Sequence, residues 1–129
     1  MFRRLRDKFI PKTLPPAGRF QDQTVLITGG TAGLGLASAI HFANLGADII
    51  ITCRNATRGK LALQRIEEAA GIEGRSKVKI MELDMSRYSS CVAFVEEVRR
   101  VREGQGGLDC VVLNAGIITP EFALSPQGR

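Results

Sequence analysis

From Gln23 onward, short near-continuous apolar runs alternate with longer stretches whose apolar residues recur every three or four positions. Thr24 to Ile27 is one such run, and Asp48 to Cys53, centred on Ile49-Ile50-Ile51, is a second. Unbroken apolar strands are those with both faces covered, the condition of a parallel sheet between helical layers. Val78 to Leu83 and Leu108 to Leu113 complete a set of four predicted strands. A first helix is predicted from about Gly33 to Leu45, with Ala37, Ile40 and Phe42 as packing candidates. A second starts near Thr57 and carries Leu61, Leu63, Ile66 and Ala69, and a third follows Asp84-Met85-Ser86 with Val92, Val95 and Val98 on its apolar positions. Punctuation agrees with these bounds. Gly46 and Gly71 stand where a helix ends in a left-handed residue, and Thr57 and Ser86 are suitable N-caps. Four strands linked through three helices by short connections require parallel pairing and right-handed crossovers, hence an α/β, doubly wound sheet.

Between the first strand and the first helix lies Thr28-Gly29-Gly30-Thr31-Ala32-Gly33-Leu34-Gly35. A strand, a glycine-rich turn and a helix N-terminus in that order form a cradle for a nucleotide pyrophosphate. Gly29 lets the chain turn off the strand, Gly33 lets backbone amides approach phosphate oxygens, and Gly35 lets the helix sit close on the sheet. The helix N-terminus then presents unpaired N–H groups and a positive dipole end to the anion.

The net charge of +5 would suggest nucleic acid if it were spread over the domain. It is not. Residues 1–19 hold six basic side chains against Asp7 alone, while residues 20–129 hold equal numbers of basic and acidic groups. With aromatic residues at only 5% there is little to stack bases on, and nucleic-acid binding is not expected. The first 19 residues read as a basic, proline-bearing extension. Phe2, Leu5 and Phe9 fall at helical spacing within it and would suit contact with a membrane surface or a targeting role, but the short span and Asp7 favour a solvated tail. No apolar run reaches the length of a membrane span and no secretory leader is recognisable, so the expected location is intracellular, in the cytoplasm. Cys53, Cys91 and Cys110 are widely spaced and suggest neither a disulfide framework nor a metal ligand set.

The second strand ends in Cys53-Arg54-Asn55, where a dinucleotide fold meets the adenosine ribose. A carboxylate there favours NAD, whereas an arginine pairs with a 2′-phosphate. Arg54 therefore predicts NADP(H) as cofactor, with Arg58 as a possible second phosphate ligand.

Three motifs in order, TGGTAGLG after strand 1, LDM after strand 3 and NAG after strand 4, resemble those of the short-chain dehydrogenase/reductase family and its Rossmann fold. The wording, with GLGLA and CRN, is similar to the retinol-dehydrogenase-like reductases, including those of fungal biosynthetic pathways. The resemblance implies that Gly29, Thr31, Gly33 and Gly35 hold the pyrophosphate with a backbone contact from Leu34. It also implies that Asp84 accepts from the adenine amino group beside Met85, and that Asn114 steadies the central strand while Ala115 and Gly116 pass close to the ribose. Taken alone, Asp84 also suits helix capping and Asn114 a turn.

The family's chemistry further implies a serine and a Tyr-x-x-x-Lys pair after NAG, the lysine lowering the tyrosine pKa for proton exchange with the substrate oxygen. Here Tyr88 is the single tyrosine, Val92 stands four residues on, no lysine follows Lys79, and Ser125 sits in a tail without a partner. His41 is a lone histidine in the first helix. No catalytic residue is assigned. The expectation is thus an NADP-binding Rossmann half-domain over 20–129, incomplete at the C-terminus, from an oxidoreductase acting on a small carbonyl or alcohol. The alternatives are a non-catalytic nucleotide-binding or interaction module pairing through strand 4, and another doubly wound binder such as one for S-adenosylmethionine.

Overall fold

The computed structural model describes residues 15–117 and 124 of the chain. The element order is β1 (Thr24–Ile27), α1 (Gly33–Asn44), β2 (Asp48–Cys53), α2 (Ala56–Ala70), β3 (Val78–Glu82), α3 (Tyr88–Arg102) and β4 (Cys110–Val112). The strands form one parallel sheet in the order β3-β2-β1-β4. Register sets Val25 beside both Ile49 and Cys110, and Ile49 beside Val78.

Alternation along the strands sends neighbouring residues to opposite layers. Val25, Ile27, Ile49 and Ile51 point to the side where α1 and α2 pack through Ala39, Ala43, Ala62 and Ile66. Leu26, Ile50 and Met81 point to the other side, where Phe94, Val98 and Val101 of α3 cover them. The two layers account for the unbroken Ile49-Ile50-Ile51, since every residue of that run meets a helix. Burying one such side chain contributes about 1.5–3 kcal/mol.

Of the predicted packing positions, Ile40, Phe42, Leu63, Ile66 and Val98 pack against the core, while the others face outward. On α1 the buried positions are Gly35, Ala39 and Ala43, with Ala37 exposed. On α2 they are Gly59, Ala62 and Ile66, while Leu61 and Ala69 are exposed. Small residues occupy the contact line because the helices lie close to the sheet, and a Cβ on Gly59 would stand 2.8 Å from Cys53 Sγ. On α3 the contact stripe runs through Phe94, Val98 and Val101, leaving Val92 and Val95 exposed.

The helix ends show two agreements and two corrections; α2 closes on Gly71 in the left-handed conformation, with φ 62°. The end of α1 is a Schellman closure, with Gly46 N–H donating to Ala43 and Ala47 N–H to Phe42. The N-cap of α2 is Asn55, whose Oδ1 accepts from Arg58 N–H at 3.1 Å, so the helix begins ahead of Thr57. Before α3, Arg87 rather than Ser86 occupies the cap position, because the Ser86 hydroxyl is spent on Asp84. Phe20 stacks edge-on against Phe42 at 5.0 Å and its N–H donates to Leu45, tying the chain ahead of β1 to the end of α1. The tail positions Phe2, Leu5, Phe9 and Ser125 lie outside the described residues.

Candidate functional site

Strand order reverses direction at β1: β2 and β3 lie on one side of it and β4 on the other. In an open parallel sheet the loops at the carboxyl ends diverge at that point and leave a crevice. A cleft of about 620 Å³ lies there. Its walls come from four loops: Gly29, Thr31, Ala32 and Gly33 after β1; Thr52, Cys53 and Arg54 at the end of β2; Asp84 and Met85 after β3; and Asn114, Ala115, Gly116 and Ile117 after β4. A second hollow, of about 740 Å³, borders the loop after α3 and is lined by residues such as Arg99 and Arg102. Arg102 there is engaged with the carbonyls of Gln105 and Gly107, so its charge closes the loop, and no residue of the glycine turn is near it.

The turn after β1 is held by its neighbours. Thr28, buried, accepts at Oγ1 from the N–H groups of Asn114 (3.0 Å) and Ala115 (3.1 Å). Asn114 Nδ2 donates to the carbonyl oxygens of Thr28 (3.2 Å) and Gly29 (3.3 Å). Gly35 packs behind this arrangement, where a Cβ would collide with the Gly29 oxygen and lie 2.6 Å from Asn114 Nδ2. Gly35 therefore brings α1 against the turn without reaching the cleft wall. Leu34 also lies off the wall, with its side chain exposed.

The N-terminus of α1 is suited to an anion. Ala32 is the N-cap and has no side chain that could accept from the first turn, which contains no acidic residue. The first intrahelical bond is Leu36 N–H to Ala32, so the preceding amides lack helical partners. Gly33 has φ 54°, and a Cβ there would meet nothing within 4 Å. Open space over unpaired donors at the positive end of a helix fits a pyrophosphate. Arg54, exposed at the end of β2, lines the same cleft.

Asp84 occupies the turn between β3 and α3. Its Oδ1 accepts from Ser86 Oγ (2.7 Å) and Ser86 N–H (3.0 Å), and its own N–H donates to Ser90 Oγ (2.9 Å). The Ser86 hydroxyl foremost, then the Ser86 amide and the nearby Arg54 and Arg87, hold the Asp84 carboxyl below its usual range. Its other oxygen, Oδ2, has no hydrogen-bond partner among the described residues. Burial, reinforced by Glu82, pushes the Cys53 thiol up, against a smaller opposing effect of the Asn55 amide, so it lines the cleft as a neutral group. Tyr88 is the first residue of α3, 76% exposed, and His41 is exposed on α1; neither borders the cleft. Arg58 is exposed on the first turn of α2, also off the wall. Thr28, Thr52 and Ser90 were not singled out as site residues from the sequence. Their only signal is a hydroxyl near a motif, which becomes meaningful for Thr28 and Thr52 once strand order sets them against a neighbouring loop, and for Ser90 once α3 starts close behind Asp84.

The sequence profile described as short chain dehydrogenase matches residues 23–127. A short-chain dehydrogenase/reductase of Aspergillus flavipes is 37% identical over 119 residues, covering 88% of this chain and 32% of that protein. A 3beta-hydroxysteroid dehydrogenase of Mediterraneibacter gnavus is 38% identical over 101 residues, covering 78% of this chain and 34% of that protein. Among solved structures, an oxidoreductase from E. coli superposes with a TM-score of 0.69 at 25% identity, over 82% of this chain and 41% of that one. The chain spans about a third of the length of the curated relatives it matches.

Proposed function

Because this chain belongs to the short-chain dehydrogenase family, whose members bind nicotinamide cofactors, we propose that its cleft takes NADP(H) and that the protein it serves is an oxidoreductase for a carbonyl or alcohol substrate. The observation that carries the cofactor reading is the uncapped N-terminus of α1 on the cleft wall, with Arg54 lining the same cleft. The amides ahead of Leu36 take the pyrophosphate. Arg54 takes the 2′-phosphate with a fork that can bind two oxygens at once. Oδ2 of Asp84 accepts from the adenine amino group, and Met85 flanks the ring. Ala115 and Gly116 lie along the nicotinamide ribose, where an added side chain would narrow the cleft.

When bound, the cofactor supplies hydride transfer to or from a substrate carbon. The residues described here bind and orient it. Proton exchange with the substrate oxygen is assigned to none of them, since Tyr88 does not line the cleft and is followed at the fourth position by Val92.

The cofactor choice is tested by comparing NADPH and NADH affinities, read from nicotinamide fluorescence, for the wild-type chain and Arg54→Asp. Wild type is expected to favour NADPH. Losing a charge-assisted contact of about 1.5–3 kcal/mol should reduce the NADPH:NADH preference by about tenfold or more. An unchanged ratio would remove Arg54 from the 2′-phosphate site.

A further inference from the structure

Gly29, the first glycine of the turn, is anchored from two sides. Its carbonyl oxygen accepts from Asn114 Nδ2, beyond β4. Its N–H donates to Oγ1 of Thr52, in β2, at 3.1 Å. Thr52 is buried at 3% exposure, borders the floor of the cleft, and stands two residues before Arg54. Gly29 has φ 68°, a left-handed conformation that glycine adopts freely, and the bond from its N–H fixes the turn to the strand that also ends in Arg54.

We infer that Thr52 is a positioning residue for the cofactor, its hydroxyl joining the pyrophosphate turn to the strand that carries the adenosine-ribose subsite. The inference rests on the nicotinamide-cofactor reading of the cleft. Thr52 acts through Gly29, whose peptide sets the direction in which the chain leaves β1 and hence where the donors of α1 begin. With the acceptor removed, the Gly29 N–H faces a methyl group in a half-buried place, and the turn relaxes away from β2. Both dinucleotides share the pyrophosphate, so both should lose affinity together. That separates Thr52 from Arg54, whose loss changes the ratio.

The test is a pair of substitutions in the full 129-residue chain, Thr52→Val and Thr52→Ser, each titrated with NADPH and with NADH. Valine keeps the shape and loses the acceptor; serine keeps the acceptor and loses the methyl. Thr52→Val is expected to weaken both nucleotides by about fivefold or more, the scale of an unsatisfied half-buried amide. Thr52→Ser is expected to remain within about twofold of wild type, with the NADPH:NADH ratio unchanged in both variants. A packing role would give the reverse order, with valine harmless and serine weakened, and would overturn the inference, as would equal weakening by both. If wild type binds neither nucleotide, the cofactor reading itself fails; if wild type binds and Thr52→Val matches it, only the role of Thr52 fails. Should the valine variant not fold, amide hydrogen exchange at Gly29 in the wild-type chain decides. Protection is expected, and exchange as fast as an open turn amide would contradict the bond on which the inference stands.

Discussion

The Asp84 carboxyl is held down by Ser86, Arg54 and Arg87, and this has a consequence that pH can read. A carboxyl lowered in the folded state contributes stability above its ordinary range, and that contribution is lost only as pH falls through the lowered value. Asp84 is therefore ionised across the neutral and mildly acidic range and can accept from adenine throughout it. Asp84→Asn keeps an oxygen for Ser86 and loses the charge, so NADPH affinity should fall. The 2′-phosphate titrates near pH 6 in both proteins, so that effect cancels in their ratio. The wild-type to Asp84→Asn affinity ratio is expected to be flat from about pH 5 to about pH 8. A ratio that collapses between pH 7 and pH 5 would show Asp84 titrating there and contradict its place at the site.

At the scale of the elements, the start of α2 separates two neighbouring candidates. Asn55 bonds Arg58 N–H, whereas Thr57 lies within the helix. Asn55→Ala should cost about 1 kcal/mol in urea unfolding, and Thr57→Ala less than half of that. Equal costs would move the cap. All seven elements were legible because alternating short apolar runs and 3.6-residue periodicity each reflect one backbone geometry. Which side of each helix meets the sheet was less legible. On α3, Val92-Val95-Val98 and Phe94-Val98-Val101 are both helical stripes, and the second is the one packed on the sheet. On α1 the buried line is glycine and alanine, and on α2 glycine and alanine share it with Ile66; the small residues carry little hydrophobic signal, and the larger Leu61 remains outside. The glycine turn, Asp84 and Asn114 stand out in the sequence because their motifs follow strands 1, 3 and 4 in order, and Arg54 because it ends strand 2, although singly Asp84 also suits a cap and Asn114 a turn. The hydroxyls of Thr28 and Thr52 do not, since their bonds span up to 87 residues, and that of Ser90 does not, since a serine in a first helical turn carries no distinctive signal.

For the whole molecule, β4 is the outer strand on its side of the sheet, and it pairs only with β1 among the described residues. Val111 is 47% and Leu113 83% exposed, near the exposed Ile117. An apolar strand edge of this kind favours association between chains. Val111→Lys should shift the 129-residue chain toward a monomer in sedimentation velocity, with thermal stability within a few degrees of wild type. Unchanged self-association would show that this edge is not the contact. No described helix is long and apolar enough to cross a membrane. The central claim is that the cleft at the carboxyl ends of β1 and β4, and not the hollow beside the loop after α3, receives NADP(H). The most direct measurement is the change in backbone amide NMR shifts of the full chain as NADP⁺ is added. Saturable changes are predicted at Gly29, Gly33, Arg54, Asp84 and Gly116, with none at Arg99 to Gly107. Changes confined to the Arg99–Gly107 loop, or none at saturating cofactor, would contradict the claim.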